Sequence, residues 1–365
     1  MENGEIINSL NEIKLEEQTN VKEKESELIE VLKLFAPGTS IRIALDDMMR
    51  ARMGALIVVN TEKISGILEG GFRVNCKFSP QRLVELCKMD GAIILSENLK
   101  KILYANTLLS PSIEIPTKET GTRHKAAERT ARQFNALVVA VSERKNKITV
   151  YFGNSKYVLQ ETSEILRRAA ETLQILEKQK DIFNDLLYPL NLLEMNNLVT
   201  TSDIGRIMKE METIRRIAES VKRYLVELGK EGIIVSMRLQ ELTKNLTKER
   251  EMILEDYFPS EANIVDESLR SMNFDSLLEI SNILKTFFKE AQDKPISPNG
   301  KRLLNKTGIN GESIELLLSK YKTLDKIFSL DKEELLQTFS EASYVNFLKQ
   351  NLDHIKEKIL IGKNL

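Results

Sequence analysis

The sequence is short of the residues that build several common functional sites. Among its 365 residues it has two cysteines, two histidines and no tryptophan. Cys76 and Cys87 are few and lack the spacing of a metal-binding motif, so we expect two ordinary buried thiols in a reducing compartment. His124 and His354 are the only histidines, which excludes a histidine-rich metal site.

Charge of one sign and long apolar runs are also missing. Lysine and arginine number 53 against 54 aspartate and glutamate residues, which gives a formal net charge of −1. A protein dedicated to nucleic acid is usually basic, so this balance argues against that class. No apolar run approaches the ~18–20 residues of a membrane span, and the N-terminus lacks the basic-then-apolar order of a signal peptide. We therefore expect a soluble, cytoplasmic protein with no membrane partner.

The pattern of apolar residues changes along the chain and predicts three domains after an N-terminal extension over residues 1–25. Strand and helix patterns alternate over residues 26–157, which predicts an α/β domain with a mixed sheet flanked by helices. Helical patterns fill residues 158–290 and predict an all-α spacer domain. A segment with proline and glycine then opens residues 291–365, which are predicted to form a small all-α C-terminal domain.

Local signals place individual elements within these domains. Apolar, β-branched runs predict four strands, at Ala55–Val59, Gly91–Leu95, Ala136–Val141 and Ile148–Phe152. Thr39 and the pair Ser79-Pro80 carry the cap and proline signals that open helices. Further helices are predicted over about residues 162–178, 201–228 and 235–256.

Two short segments carry the chemistry. In the segment 88–95, Asp90 and Gly91 stand just before a buried strand. In the segment 119–129, a turn of threonine and glycine leads into a cluster of cations at the start of a predicted helix. A carboxylate can hold a divalent metal, and a cationic turn can hold phosphates. Together they are the minimum equipment for chemistry on a nucleoside triphosphate.

These segments resemble the two signature motifs of the diadenylate cyclases, Asp-Gly-Ala and Arg-His-Arg. Flanking segments agree in order, namely Ala36–Thr39, Gly54–Val58, Gly70–Phe72, Ala105-Asn106 and Val141–Arg144. The resemblance is specific over about residues 25–160, and over its whole length the chain resembles the DNA integrity scanning proteins. It implies an enzyme that condenses two ATP molecules into cyclic di-AMP and two pyrophosphates with Mg²⁺ or Mn²⁺.

The resemblance also implies a set of site residues. Asp90 would hold the metal and favour the deprotonated 3′-hydroxyl of ATP, with Arg123 and His124 as further catalytic residues. The nucleotide would contact Gly91, Ala92, Leu109, Thr122, Arg123, His124, Lys125, Ala126 and Ser142. Simpler interpretations stay open: Asp90 could mark a helix end, Leu109 could be a core leucine, and the cations could form a solvated turn.

Two departures from the family pattern fall in the phosphate-binding segment. Lys125 replaces the usual arginine and supplies a point charge without a bidentate fork. Ala126 occupies a position that is commonly threonine, so one hydroxyl contact is missing. These departures support an alternative, a DNA-binding sensor with a weak or decayed cyclase. A different ATP-using nucleotidyltransferase is a second alternative.

The C-terminal domain departs further from the family. Residues 307–311 resemble the glycine turn of a helix-hairpin-helix unit, whereas the expected second turn near residues 339–343 lacks glycine and contains Glu341. Residues 291–365 hold twelve lysines and arginines against ten acids, a weak footprint for DNA. We expect either weak binding to DNA, including branched DNA, or a purely structural domain. The resemblance implies a homo-oligomer, an octamer.

Overall fold

The computed structural model describes residue 27 and residues 29–289 and 293–362, so the extension predicted over residues 1–25 lies outside the described residues. The chain divides into two units. One comprises Met1–Ala169 with Lys222–Ser236, and the other comprises Ala170–Val221 with Met237–Leu365. The domain boundaries drawn from the sequence stay predictions.

An eight-stranded sheet forms the centre of the first unit. Its strands are β1 (Ala55–Val59), β2 (Leu68–Glu69), β3 (Phe72–Lys77), β4 (Ala92–Leu95), β5 (Lys101–Leu109), β6 (Leu137–Ser142), β7 (Lys147–Phe152) and β8 (Ser155–Leu159). The order across the sheet is β2-β5-β4-β1-β6-β7-β8, with β3 paired to β5. Among the described strands, β1 and β4 pair in parallel and the other pairs are antiparallel, so the predicted mixed sheet is confirmed.

Helices cover both faces of this sheet. They are α1 (Ser40–Arg50), α2 (Pro80–Leu86) and α3 (Thr122–Phe134). Side chains alternate between the faces of a strand, so Ile57 joins one core with α1 and α2, whereas Leu56 joins a second core with Ala127 of α3. All five residues of β1 are buried for this reason. The sheet therefore holds α3 on one face, where the cationic motif lies.

The predicted helix starts are confirmed at two positions. Thr39 Oγ1 accepts a hydrogen bond from the Arg42 N–H at 3.3 Å, which caps α1. Ser79 Oγ accepts from the Arg82 N–H at 3.3 Å, and Pro80 takes the first position of α2. Proline suits this position because the N–H that it lacks would have no helical acceptor.

Helices follow β8 to the end of the described residues, which confirms the all-α character of this part. They are α4 (Thr162–Met195), α5 (Thr201–Leu228), α6 (Ile233–Thr243), α7 (Leu246–Tyr257), α8 (Ala262–Ser271), α9 (Phe274–Leu278), α10 (Ile280–Phe287), α11 (Lys301–Asn305), α12 (Gly311–Tyr321), α13 (Leu324–Ser329), α14 (Lys332–Leu336) and α15 (Ala342–Leu360). One isolated bridge joins Thr200 and Pro295. No described helix is long and apolar enough to cross a membrane.

Two helix predictions were wrong in extent. The helix predicted over residues 162–178 continues to Met195, through Pro189, because Phe183 and Leu190 are buried along the added turns. The helix predicted over residues 235–256 is interrupted at Asn245, whose φ of 67° is left-handed and starts α7 anew. Asparagine tolerates this conformation better than other side chains do.

Strands β2, β3, β5 and β8 were not predicted. β3 contains Asn75 and β5 contains Asn106, both with positive φ, and the pairing register shifts in both strands. These irregularities interrupt the alternation that identifies a strand. On β3, Cys76 is half-buried rather than buried, whereas Cys87 is buried as predicted and its burial raises the thiol pKa to about 12.

Candidate active site

The turn between α2 and β4 presents Asp90 to solvent. Gly91 has φ of +89°, and a Cβ there would lie 2.9 Å from backbone atoms of Asn106 and Thr107 on β5. Glycine is therefore required, because β5 passes directly behind the turn. The next residue, Ala92, is buried at the start of β4, whereas the Asp90 side chain is fully exposed.

The cationic segment forms the first turn of α3, as predicted. Gly121 precedes this helix and has no side chain that could cap it. The first N–H groups of a helix lack helical acceptors, and its N-terminus favours an anion. Arg123, His124 and Lys125 nevertheless lie in this turn, with no acid among them. Such an arrangement is electrostatically unfavourable alone and becomes favourable when an external anion binds.

Arg123 joins the two motifs. Its Nη2 lies 3.6 Å from Asp90 Oδ1, and its side chain is 41% exposed, so the contact is loose and screened by water. The guanidinium also lies against Gly54, where a Cβ would come within 2.0 Å of Nη1. Only a residue without a side chain leaves room for this position of Arg123.

A cavity of 760 Å³ adjoins the first turn of α3 and includes Thr122, Arg123, His124 and Ser142 in its wall. Its wall has a strong excess of positive charge. Two acids, Glu119 and Glu143, face five cations, namely Arg123, Arg144, Lys145, Lys147 and Lys156. Several cations around one space suit a polyphosphate, whose oxygens accept charge-assisted hydrogen bonds.

His124 is tied to two neighbours on the side of the sheet. Its Nδ1 lies 2.9 Å from Tyr151 Oη, and that hydroxyl donates to Glu119 Oε1 at 2.9 Å. Burial lowers the pKa of His124, as do Lys156, Lys145 and Arg123, whereas Glu119 opposes them. Burial alone would raise the pKa of Glu119, but hydrogen bonds from Lys156 and Tyr151 hold it below its usual range.

Side chains of α3 also fix the loop that leads into the motif. Glu128 is buried; it accepts from Arg132 at 2.6 Å and from the Thr117 hydroxyl. Arg132 donates further to the Pro116 carbonyl at 2.7 Å, and Arg129 to the Ile115 carbonyl at 3.0 Å. These bonds replace the regular backbone pairing that a loop lacks, so the turn at Gly121 has a defined position.

The remaining predicted residues lie at different depths. Ser142 ends β6 in the cavity wall, and its Oγ accepts from the Lys145 N–H at 3.2 Å. Leu109 ends β5 and is buried in the core beneath α3. Lys125 and Ala126 are half-buried, and Ala126 packs against the same core. The structure thus gathers Thr122, Arg123, His124 and Ser142 around the cavity. Outside its wall lie the other predicted residues, namely Asp90, Gly91, Ala92, Leu109, Lys125 and Ala126.

Sequence reasoning missed roles for Gly54, Glu119, Tyr151 and Lys156. Glu119 begins the quoted motif segment, yet nothing local shows that it faces His124. Alternation along β7 could have placed Tyr151 on the face opposite Val150, and a polar-tipped aromatic residue on a buried face usually has a hydrogen-bond partner. Gly54 offered no local signal beyond its place in a flanking segment.

Within the described residues, no group of three or more histidine, cysteine, aspartate and glutamate side chains could hold a metal ion. Mg²⁺ is commonly held by one or two carboxylates, with waters and substrate phosphates completing its ligands. The exposed carboxylate of Asp90, beside a cationic cavity, fits this kind of shared site.

Two family models match most of the chain between them. Residues 42–156 match the model described as DisA bacterial checkpoint controller nucleotide-binding. Residues 159–293 match the DisA bacterial checkpoint controller linker region. The first match contains the whole of the candidate site, and the second contains the long helices α4 and α5.

Curated proteins are similar to this chain over most of their own length. The DNA integrity scanning protein DisA of Acetivibrio thermocellus is 42% identical over 323 residues, covering 86% of this chain and 90% of that protein. The protein of the same name from Clostridioides difficile is 38% identical over 348 residues, covering 93% and 98%. A solved structure, DacA from Staphylococcus aureus with two cysteine substitutions, is 29% identical over 41% of this chain and 97% of that one, with a TM-score of 0.30.

Proposed function

Since this chain belongs to the family of DNA integrity scanning proteins and is a diadenylate cyclase, a nucleotidyltransferase, we propose that it condenses two ATP molecules into cyclic di-AMP and two pyrophosphates. The observation that carries the proposal is the pairing of two motifs in space. An exposed Asp90 carboxylate lies 3.6 Å from Arg123, which lines a cavity with an excess of cations.

In the proposed reaction, a 3′-hydroxyl of one ATP attacks the α-phosphate of the other and pyrophosphate leaves in line. Arg123 and the lysines of the cavity wall bind the triphosphate and offset the negative charge that grows on the leaving oxygens. The N–H groups at the uncapped start of α3 add donors for the same oxygens. Thr122 and Ser142, which both line the cavity, supply hydroxyls.

Asp90 is the residue that would hold Mg²⁺ or Mn²⁺. A bound divalent ion neutralises phosphate charge and favours the deprotonated form of a nearby hydroxyl. The fully exposed side chain leaves both carboxylate oxygens open to such an ion. Gly91 keeps the carboxylate in place, since its left-handed backbone clamps the turn against β5.

The symmetry of the product indicates a two-fold arrangement of subunits. Cyclic di-AMP contains two equal halves, so two sites facing each other, each with one ATP, would align both hydroxyls with the opposing α-phosphates. We therefore propose a homo-oligomer, an octamer as the family resemblance implies. The rate per chain should fall when the protein is diluted below the dissociation constant of the oligomer, and a monomer of undiminished specific activity would contradict the model.

Weak DNA binding by the C-terminal helices is a further part of the proposal. The turn between α11 and α12 contains Gly308, whose φ is +72° and around which a Cβ would meet nothing within 4 Å. The space beside its Cα is therefore open, although the Gly308 N–H already donates to the Asn305 carbonyl at 3.4 Å. The turn before α15 contains Glu341, which repels phosphate. Salt titration of labelled duplex and junction DNA with the full chain should show binding that fades towards physiological salt, and tight, salt-resistant binding would contradict this.

Turnover of ATP by the Asp90→Asn variant tests the cyclase proposal. The wild-type protein with ATP and Mg²⁺ or Mn²⁺ should give cyclic di-AMP, identified by chromatography against a standard. Asp90→Asn should lose roughly 100-fold or more of this activity while it still binds ATP in part. Glu97→Gln is the matched control, because Glu97 is an exposed carboxylate just beyond the other end of β4.

Three results would count against the proposal in different ways. Turnover by Asp90→Asn within a few-fold of wild type would remove Asp90 from the mechanism. A linear or non-adenylate product would support a different nucleotidyltransferase. DNA binding without any turnover of ATP would favour the sensor with a decayed cyclase. An ATP-consuming enzyme of this kind would work in the cytoplasm, where its substrate is present.

A further inference from the structure

A series of hydrogen bonds connects His124 through Tyr151 to Glu119. His124 Nδ1 lies 2.9 Å from Tyr151 Oη, and Tyr151 Oη donates to Glu119 Oε1 at 2.9 Å. Lys156 on β8 forms an ion pair with the same Glu119. Tyr151 is 1% exposed, and the Glu119 side chain is 14% exposed. Water therefore has little access to the Tyr151 hydroxyl, so its neighbours His124 and Glu119 set whether it donates or accepts.

The tyrosine hydroxyl determines which groups donate and which accept in these hydrogen bonds. Burial raises the pKa of Tyr151, with a further rise from Glu119, so the phenol keeps its proton. A hydroxyl has one proton, and here it is donated to the Glu119 carboxylate. Tyr151 Oη can then only accept from the histidine ring. His124 Nδ1 must carry a proton, and in the neutral ring Nε2 carries none.

Charged groups from four elements surround His124. Glu119 precedes α3, Arg123 is in α3, Lys145 is in the turn between β6 and β7, and Lys156 is in β8. Burial and the three cations lower the pKa of His124, so the ring is neutral at pH 7 without a ligand. A neutral ring with its proton on Nδ1 cannot donate from Nε2 to a phosphate oxygen. A bound polyphosphate offsets the cations and favours a proton on Nε2.

Resting on the function proposed above, we propose that Tyr151 and Glu119 are positioning residues that keep the proton of the resting imidazole on Nδ1. When a polyphosphate binds, Nε2 takes a proton from solvent and donates a hydrogen bond to a phosphate oxygen. In this step an N–H bond forms at Nε2 and an O–H bond of the solvent proton donor breaks, so one proton passes from solvent to the ring. The charge on His124 is thereby set by the substrate. Glu119 balances the resulting imidazolium through Tyr151.

Solid-state ¹⁵N NMR of the full-length protein, labelled at histidine, reads the proton positions directly. The chain has two histidines, and the exposed His354 is an internal reference. Without nucleotide, His124 should show a protonated Nδ1 and an unprotonated Nε2. Tyr151→Phe removes the acceptor and should give a mixture of both tautomers, whereas Tyr104→Phe, on β5 of the same sheet, should leave the spectrum unchanged. A wild-type Nε2–H tautomer, or no change in Tyr151→Phe, would overturn the inference.

A second variant guards against misfolding of Tyr151→Phe. Glu119→Gln keeps the shape of the side chain, but its amide can donate as well as accept, so both proton orders become available. It should also give mixed tautomers at an unchanged melting temperature. A single Nδ1–H tautomer in a folded Glu119→Gln would show that Glu119 does not set the order.

Adding Mg²⁺ and a non-hydrolysable ATP analogue tests the ligand-linked step. Both ring nitrogens of His124 should then be protonated, and Tyr151→Phe should lower kcat/KM about three- to tenfold. Binding of the analogue is measured separately by calorimetry. Failure to bind would contradict the proposed function and leave the resting tautomer as found. Binding that leaves Nε2 unprotonated would overturn the inference alone.

Discussion

Two groups of charged side chains in this protein differ in burial and in their hydrogen-bond partners. In the second unit, Arg302 is completely buried and donates to Glu194 and Glu249, each at 2.7 Å, and to Asn191 at 2.5 Å. In the first unit, Asp90 is fully exposed and its contact with Arg123 is 3.6 Å long. One group is satisfied within its own unit, and the other is left open to solvent.

The difference separates structural charge from charge that is available to a ligand. A buried ion costs several kcal/mol to desolvate, so the chain must supply partners for Arg302 of α11 from two other helices, α4 and α7. Exposed ions pay no such cost and gain little from loose contacts. Cations that outnumber the acids around them, as in the cavity wall, therefore suit an external anion.

The largest expected effect comes from breaking the satisfied group. Arg302→Met should destabilise the protein by roughly 3–5 kcal/mol, because Glu194 would remain buried without its charged partner. Urea unfolding measures this loss. Arg238→Met is the control, since Arg238 is 40% exposed in its ion pair with Glu177 and its loss should destabilise the protein far less. Equal losses for the two variants would refute the distinction between the groups.

A smaller effect is expected from displacing the open group. Gly54→Ala should reduce ATP turnover roughly 10- to 100-fold, because its Cβ would occupy the place of the Arg123 guanidinium. Stability should change little, since a flexible side chain can move aside. Gly66→Ala is the control, as a Cβ there meets nothing within 4 Å. Unchanged turnover in Gly54→Ala would mean that the observed position of Arg123 has no part in the reaction.

The stability of the protein should also depend on pH through Asp256, which lies near Glu194 and Arg302 of the satisfied group. Burial and nearby Glu194 raise the pKa of Asp256 to about 7, from an ordinary value of 3.8. The folded state thus binds this proton more tightly than the unfolded state, so stability should fall as pH rises from about 4 to about 7. Glu212 and Glu249 have lowered pKa values, so their contribution to the stability of the protein is lost only in more acidic solution.

Thermal unfolding between pH 5 and pH 8 measures this slope. The melting temperature of wild type should decline over the interval, and Asp256→Asn should flatten the decline because its side chain does not titrate. Asp256 accepts from the backbone N–H groups of Gly300 and Lys301, so the variant should be less stable than wild type at pH 5. A variant that keeps the full slope would assign it to another group.

The smallest expected effect concerns Lys125. Arginine at this position adds a bidentate fork, so Lys125→Arg should raise turnover or ATP affinity roughly two- to fivefold. The effect is small because Lys125 is half-buried and lies outside the cavity wall. Lys125→Ala should lower both quantities. Wild-type kinetics in Lys125→Ala would show that this lysine merely belongs to a solvated turn.

The fold could be predicted from the sequence wherever a pattern was regular. The all-apolar run of β1 and the caps at Thr39 and Ser79 were found at their correct positions. β5 was missed because Asn106, at φ of 55°, interrupts its alternation. The end of α4 was missed because Pro189 is a poor helix former whose cost is offset by burial of its neighbours, which no local rule shows.

The candidate site was predictable in its motifs and unpredictable in its contacts. Two segments have residue types that predict phosphate chemistry, and they contain Asp90, Arg123 and His124. Their roles stay predictions until variants are measured. Glu119 and Tyr151 stand 32 positions apart, and only the sheet brings them together.

The sequence by itself determined the four strands with continuous apolar runs, the segments that hold the charged motifs and the family to which the chain belongs, because these depend on local patterns and on residue identity. The tertiary structure alone decided which charges are paired. Arg302 and Glu194 are 108 positions apart and meet in the interior, whereas Asp90 and Arg123 are brought within 3.6 Å of each other and left exposed. Burial sets the cost of a charge, and burial exists only after the chain has packed.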